Sequence, residues 1–182
     1  MPRTVAMLRG INVGGRNKVA MSQLRELFAR VGFLNTETYL QSGNVVFDSG
    51  TKDITRIGEE LQRELQETLG LPLMVLIRTA HELDELVRGN PFLLREHVDP
   101  SALHVTFLAA SPTPGSLAAI PPGLDDGEDQ WSAEGANVYV YCPNGYGRTK
   151  LNNGLFERKL KTVATTRNWK TVLALRDMAV DG

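Results

Sequence analysis

The chain contains a single cysteine, Cys142, in 182 residues. No internal disulfide can hold the fold, and no cysteine cluster can hold a metal. Its three histidines, His81, His97 and His104, stand alone without metal-ligand spacing. No serine carries a nucleophile-elbow sequence, and no low-complexity tail is visible. Aromatic residues make up only 7% of the chain. No apolar run approaches the roughly 20 residues needed to span a bilayer. The start, Met1-Pro2-Arg3-Thr4-Val5, has neither a long apolar segment nor a cleavage signature. These absences predict a cytoplasmic protein with no membrane partner, no metal and no cofactor. They leave its status as an enzyme open, since no catalytic motif is recognisable.

What is present suits a globular chain: 42% hydrophobic and 23% charged residues, enough to bury a core in one domain or two small ones. Net charge is −1, but it is unevenly spread. Residues 1–30 carry six Lys or Arg against one acidic residue, and residues 145–176 carry eight against one. Residues 31–144 carry six against seventeen. Basic ends flank an acidic middle. Either the ends are neighbours on one polyanion-binding face, or acidic segments neutralise solvated basic helix faces within the monomer.

The densest polar motif is Leu8-Arg9-Gly10-Ile11-Asn12-Val13-Gly14-Gly15-Arg16-Asn17-Lys18. Gly14 and Gly15 permit backbone angles that turn amides toward one point, and Arg9, Arg16 and Lys18 would draw an anion there. The spacing from Gly10 to Gly15 matches a phosphate-binding P-loop, but Arg16-Asn17 replaces the required Lys and Ser/Thr. Residues 19–21 also separate the loop from the next helix, whereas a P-loop has its helix directly behind the phosphates. The dinucleotide fingerprint fails as well. A non-classical anion nest remains, against a tight strand-to-helix connection in which Asn12 and Asn17 cap their own backbone.

Two further segments carry candidate ligand-binding residues. Gln41, Ser42 and Asn44 offer donors and acceptors around Gly43, suited either to a polar ligand edge or to turn chemistry. Tyr146-Gly147-Arg148-Thr149-Lys150 and Thr165-Thr166-Arg167-Asn168-Trp169-Lys170 form a second basic constellation. There Arg148, Lys150 and Arg167 suit phosphate or carboxylate, and Tyr146 or Trp169 could stack on a base. Asn168 also fits a helix cap, and Trp169 a buried stripe continued by Val172 and Leu173. His104 reads as a packed core histidine and Cys142 as a structural thiol.

Hydrophobic periodicity orders the first half as strand (4–9), helix opened by Ser22, strands 36–41 and 44–47, a long helix along Ile54, Ile57, Leu61, Leu65 and Leu69, and strand 73–78. Thr79-Ala80-His81-Glu82 has capping-box spacing for a connecting helix. The second half repeats the order: strand 103–109, a short helix opened by Ser111-Pro112, a hairpin of 130–133 and 137–142, a helix through Leu151, Leu155, Phe156 and Leu160, strand 162–166 and a final helix, 169–178. Asp125-Asp126-Gly127-Glu128-Asp129 reads as a solvated acidic turn. This is an α+β pattern with two βαββαβ units. RNA-recognition domains share that order but expose aromatics on their first and third strands. Val5-Ala6-Met7-Leu8 has none and 42–47 only one at its end, which disfavours sheet-face RNA binding and leaves loop contacts to phosphate.

Residues 8–15, Thr38-Tyr39-Leu40-Gln41-Ser42-Gly43-Asn44-Val45 and Thr165-Thr166-Arg167-Asn168-Trp169-Lys170-Thr171-Val172 together resemble a bacterial family, the domain-of-unknown-function family 1697. One departure is Lys170, where the family pattern has Asn. The resemblance implies two ferredoxin-like halves with antiparallel sheets and helices on one face. The expected division is 1–78, a connector at 79–102, and 103–182; the resemblance carries no activity. The leading expectation is a binding protein for a phosphate-bearing ligand, nucleic acid or nucleotide. The alternatives are an enzyme acting on a small polar metabolite between the halves, and a protein-interaction scaffold.

Overall fold

A computed structural model describes residues 3–50, 53–121, 123–124 and 128–180. Two compact units divide the chain: Met1–Glu85 with Ala174–Gly182, and Leu86–Leu173.

In the first unit, strand β1 (Arg3–Leu8) is buried at every position, as are β3 (Asn44–Asp48) and most of β4 (Val75–Thr79). Only β2 (Leu34–Tyr39) is largely open. The antiparallel order is β2-β3-β1-β4. Helix α1 (Met21–Arg30) buries Leu24, Leu27 and Phe28; α2 (Ile54–Leu69) buries Ile57, Leu61 and Leu65. These side chains join Ala6, Leu8, Val45, Phe47 and Ile77 in one core, tightened by the rings of Phe28, Phe33 and Phe47. Val5, Met7, Val46 and Leu76 alternate with those strand positions and are also buried, so the sheet is covered on both faces. The α2 start is fixed by Asp53, which accepts from the Thr55 N–H at 2.7 Å, and its end by Gly70 at φ 66°.

In the second unit, β5 (Leu103–Leu108), α4 (Pro114–Leu117), β6 (Gly123–Leu124), β7 (Asp129–Glu134), β8 (Asn137–Tyr141), α5 (Asn153–Leu160) and β9 (Ala164–Asn168) follow in chain order. The sheet order β6-β7-β8-β5-β9 repeats the first unit with one two-residue strand added at an edge. Helices α3 (Ala80–Arg88) and α6 (Trp169–Val180) each carry the chain across the division. The capping box is formed as expected: Thr79 N–H donates to Glu82 at 2.7 Å and Glu82 N–H donates to Thr79 Oγ1 at 3.1 Å.

The two halves share a register. Val5 lies opposite Val46 and Arg78; Val105 lies opposite Tyr139 and Arg167. Leu8 N–H donates to the Gly43 carbonyl and Leu108 N–H to that of Ala136, both at 2.9 Å. Arg9 N–H to Met74 and Ala109 N–H to Val163 repeat the match, again at 2.9 Å. The α+β class and paired ferredoxin-like halves follow from this order.

Several boundaries differ from the periodicity. Ser22 lies inside the first turn of α1; Gln23 instead accepts from the Ala20 N–H at 3.2 Å. The short helix opens on Thr113, which caps it, with Pro114 in its first turn. Strand β9 starts two residues late because Lys161, at φ 56°, closes α5. Residues 125–127 of the acidic segment lie outside the described residues; Asp129 is buried at the start of β7. Among the described residues, no helix is long and apolar enough to cross a membrane.

Gly43 has φ 72°, and a Cβ there would overlap Ile11 Cγ2 and lie 2.9 Å from Leu8 Cβ. Gly43→Ala is expected to destabilise the protein by about 3 kcal/mol, combining overpacking with left-handed strain. Urea unfolding of the variant beside the parent measures it.

Candidate functional site

The loop after β1 is built around one buried side chain. Ile11 is 1% exposed and rests against Gly43, the residue just before β3. Asn12, at φ 53°, uses its whole amide: Nδ2 donates to the Val19 carbonyl (3.0 Å) and to that of Gln41 (2.8 Å), and Oδ1 accepts from the Val19 N–H (2.9 Å). Asn17 Nδ2 donates to the Gly10 carbonyl at 2.9 Å. Asn12 N–H donates to the Asn17 carbonyl at 3.1 Å, closing the base of the loop. Both asparagines thus hold their own backbone.

Above that base, Val13 and Arg16 form an isolated antiparallel bridge across Gly14 and Gly15, at φ 57° and 76°. Two consecutive positive φ values mark the turn preferred by two-residue hairpins, where glycine carries no steric penalty. Residues 13–18 are all exposed, including Arg16 and Lys18. Arg9 is half-buried at the loop's entrance.

The 39–44 turn sits beside this loop through the Asn12–Gln41 bond. Asn44 is buried, and its Nδ2 donates to the Tyr39 carbonyl (3.1 Å) and Ser42 Oγ (2.8 Å). Gln41 is exposed. The structure therefore brings Arg9, Asn12, Gly14, Gly15, Arg16, Asn17, Lys18, Gln41, Ser42 and Asn44 into one neighbourhood of the first unit. Its exposed part is the hairpin tip together with Gln41.

The second half makes the equivalent step with far less chain. From Leu108 to Pro114 five residues intervene, none of them glycine; from Leu8 to Met21 twelve intervene. The second half thus closes on a shorter loop, whereas the longer loop of the first half gives Ile11 and Val19 to the core.

The basic residues of the second unit divide by burial. Arg148 and Lys150 are exposed. Arg167 is 9% exposed, and one of its terminal nitrogens donates to Thr165 Oγ1 (2.8 Å) and the Thr166 carbonyl (3.0 Å). Burial lowers its guanidinium to about 10. Asn168 accepts from the Thr171 N–H at 2.8 Å and so caps α6, and Trp169 is buried.

Sequence reasoning missed a hydroxyl cluster nearby. Thr106 and Thr166 are paired across β5 and β9, and their oxygens lie 2.7 Å apart. Thr166 donates to Asn153 Oδ1 (2.6 Å) and accepts from the Tyr146 hydroxyl (3.0 Å). Its one proton goes to Asn153, so Thr106 donates to it. The available signal was period-2 alternation, which puts His104 and Thr106 on one strand face. Tyr146 stacks on His104 at 4.6 Å between ring centroids. His104 is half-buried rather than fully packed; burial lowers its pKa, opposed by its contact with the Ala102 carbonyl. Cys142 is buried, and burial pushes its thiol up to about 11, a structural rather than reactive sulfur. Among the described residues, no group of three or more His, Cys, Asp or Glu is placed to hold a metal.

The family described as "Protein of unknown function (DUF1697)" matches residues 1–139. The chain belongs to that family. The match contains the hairpin loop and the 39–44 turn. No curated protein matches the chain. Among solved structures, the chain is similar to a conserved bacterial protein, SP0830 from Streptococcus pneumoniae, with TM-score 0.77 and 21% identity over 98% of each chain. That likeness carries the fold alone.

Asn12→Ala removes three hydrogen bonds at the loop base and is expected to cost about 2 kcal/mol; Asn17→Ala, losing one exposed bond, should cost less. Thermal unfolding ranks the two. His104 resists protonation in the fold, so its contribution is intact above its ordinary pKa of 6.5 and is lost as pH falls below it. His104→Phe retains a ring against Tyr146 and should flatten the fall in urea midpoint between neutral and mildly acidic pH. An equal fall in both proteins would assign the acid sensitivity elsewhere.

Proposed function

We propose that this protein binds a phosphate-bearing ligand, nucleic acid or nucleotide, in the bacterial cytoplasm, through the cationic hairpin that follows β1. One observation carries the reading: the second half closes its strand-to-helix connection in five residues, so the exposed tip of the first loop, beyond the buried Ile11 and Val19, is more chain than that connection needs there. Its tip presents Arg16 and Lys18 to solvent, and no carboxylate precedes Glu26 in the chain. The positive charge there is therefore locally uncompensated in sequence and suited to an anion. Arg148 and Lys150 add exposed cations on the second half. The reading draws on these side chains rather than on the buried Arg167 or the capping Asn168.

Fluorescence anisotropy with labelled oligonucleotides and nucleotides tests it. Two phosphate contacts to a single strand make affinity fall about sevenfold between about 50 and 200 mM salt. The double variant Arg16→Ala, Lys18→Ala should lose that part of the salt dependence. Absence of binding by the parent at the lower salt would reject the proposal.

A further inference from the structure

We infer that the ligand is a B-form DNA duplex, and that the hairpin centred on Gly14-Gly15 enters its major groove. This rests on the phosphate-binding reading of the same loop. The first argument is what the tip lacks. Residues 8–20 contain no aromatic side chain, whereas sequence-tolerant single-strand binding draws on aromatic stacking worth about 1–3 kcal/mol per base. The exposed side chains are instead Val13, Arg16, Asn17 and Lys18, which suit sugar, phosphate and groove edge.

The second argument is shape. Val13 and Arg16 face each other across a two-residue turn, the narrowest form of a two-stranded ribbon. Neighbouring strands lie about 4.8 Å apart, and the B-form major groove, about 12 Å wide, admits a two-stranded ribbon. The corresponding groove of A-form RNA is deep and narrow and closed to side chains. The same tip therefore distinguishes the two duplexes without reading sequence.

The third argument is pre-organisation. Ile11 anchored against Gly43, together with the amides of Asn12 and Asn17, fixes the loop before any ligand arrives. Little ordering cost then remains for binding. Val13 is 64% exposed at the tip, and Leu40, 57% exposed at φ 58°, lies next to Gln41 in the adjoining turn. Aliphatic groups beside cations suit thymine methyls and sugar faces in a groove.

The test compares a short labelled DNA duplex with its single strand, an RNA duplex of the same sequence, and vesicles containing phosphatidylserine. Two proteins are set against the parent. One carries Arg16→Ala and Lys18→Ala; the other carries Gly14→Val and Gly15→Val, which keeps every charge but forbids the turn. A Cβ at either glycine meets nothing within 4 Å, so the second variant should keep its fold, as circular dichroism will check. The DNA duplex is expected to bind about tenfold tighter than the single strand or RNA duplex. Between about 50 and 200 mM salt, two duplex phosphate contacts account for about a 12-fold loss, absent from the charge variant. The glycine variant should retain weak, salt-sensitive binding and lose the preference for DNA duplex. Equal or tighter binding of the single strand, the RNA duplex or the vesicles overturns this inference while the anion-binding reading stands; so does a glycine variant that keeps the duplex preference. No binding to any of these probes at the lower salt overturns this inference, and the anion-binding reading falls with it when labelled nucleotides also fail to bind.

Discussion

The contact between Gly43 and Ile11 is the constraint on which the amino-terminal region depends. A residue that enters a buried strand without a side chain leaves room for an isoleucine from a distant loop to reach 1% exposure. That apolar anchor does for the loop what a helix face does for a helix. Once Ile11 is fixed, Asn12 lies where its amide can bond the Val19 and Gln41 carbonyls, and the chain from Gly10 to Asn17 closes on itself. The exposed tip is thus carried on an ordered base, although six consecutive tip residues face solvent. Loops of this kind owe their order to a few internal bonds rather than to burial of the tip.

Much of the fold was legible because its elements obey local rules. The stripe along Ile57, Leu61 and Leu65 has helical period, and α2 follows it. The Thr79–Glu82 spacing states a capping box, and all its bonds form. Glu134-Gly135-Ala136-Asn137 joins β7 and β8 through a two-residue turn with Gly135 at φ 55°. Boundaries were less legible where two caps competed. Ser22 is a good capping residue, yet Gln23 reaching back to Ala20 sets the helix start, because a side chain in the first turn can satisfy the same orphan amide. Register and the short strand β6 were not legible at all. Two residues carry no period, and strand pairing depends on contacts distant in sequence.

The site was legible as composition and not as geometry. The sequence places Arg148, Lys150, Arg167 and Asn168 within one basic stretch, but burial separates them. Arg167 alternates into a covered sheet face, where its guanidinium bonds Thr165 and Thr166 and is lowered by desolvation. One residue later, Asn168 ends the strand and begins a helix. Nothing in residue type distinguishes an arginine that meets solvent from one that fills a sheet face; strand alternation does, once the boundaries of β9 are known. The hydroxyls of Thr106 and Thr166 were overlooked for the same reason. Each is unremarked alone, and only cross-strand pairing brings them to 2.7 Å.

The internal repeat supplies a physical control within one chain. Asn44 opposite Met7 and Asn137 opposite Phe107 occupy the same place in matching ladders, as do the buried Arg78 and Arg167 opposite Val5 and Val105. Features present in both halves are thereby accounted for by the frame: a strand start, a cross-strand pair, a cap at the last strand's end. Features present in one half need another cause. The second half adds an edge strand and a hydroxyl cluster whose central oxygen, on Thr166, already has three partners; with its valences filled inside the fold, that oxygen is a poor candidate for meeting a ligand. The first half adds a twelve-residue connection whose base is closed by its own asparagines. At its tip, around the Val13–Arg16 bridge, the cations Arg16 and Lys18 are exposed. Part of that addition serves the frame itself, since Ile11 and Val19 join the core of the first unit; what the second half lacks is the exposed, charged tip that those two buried residues carry.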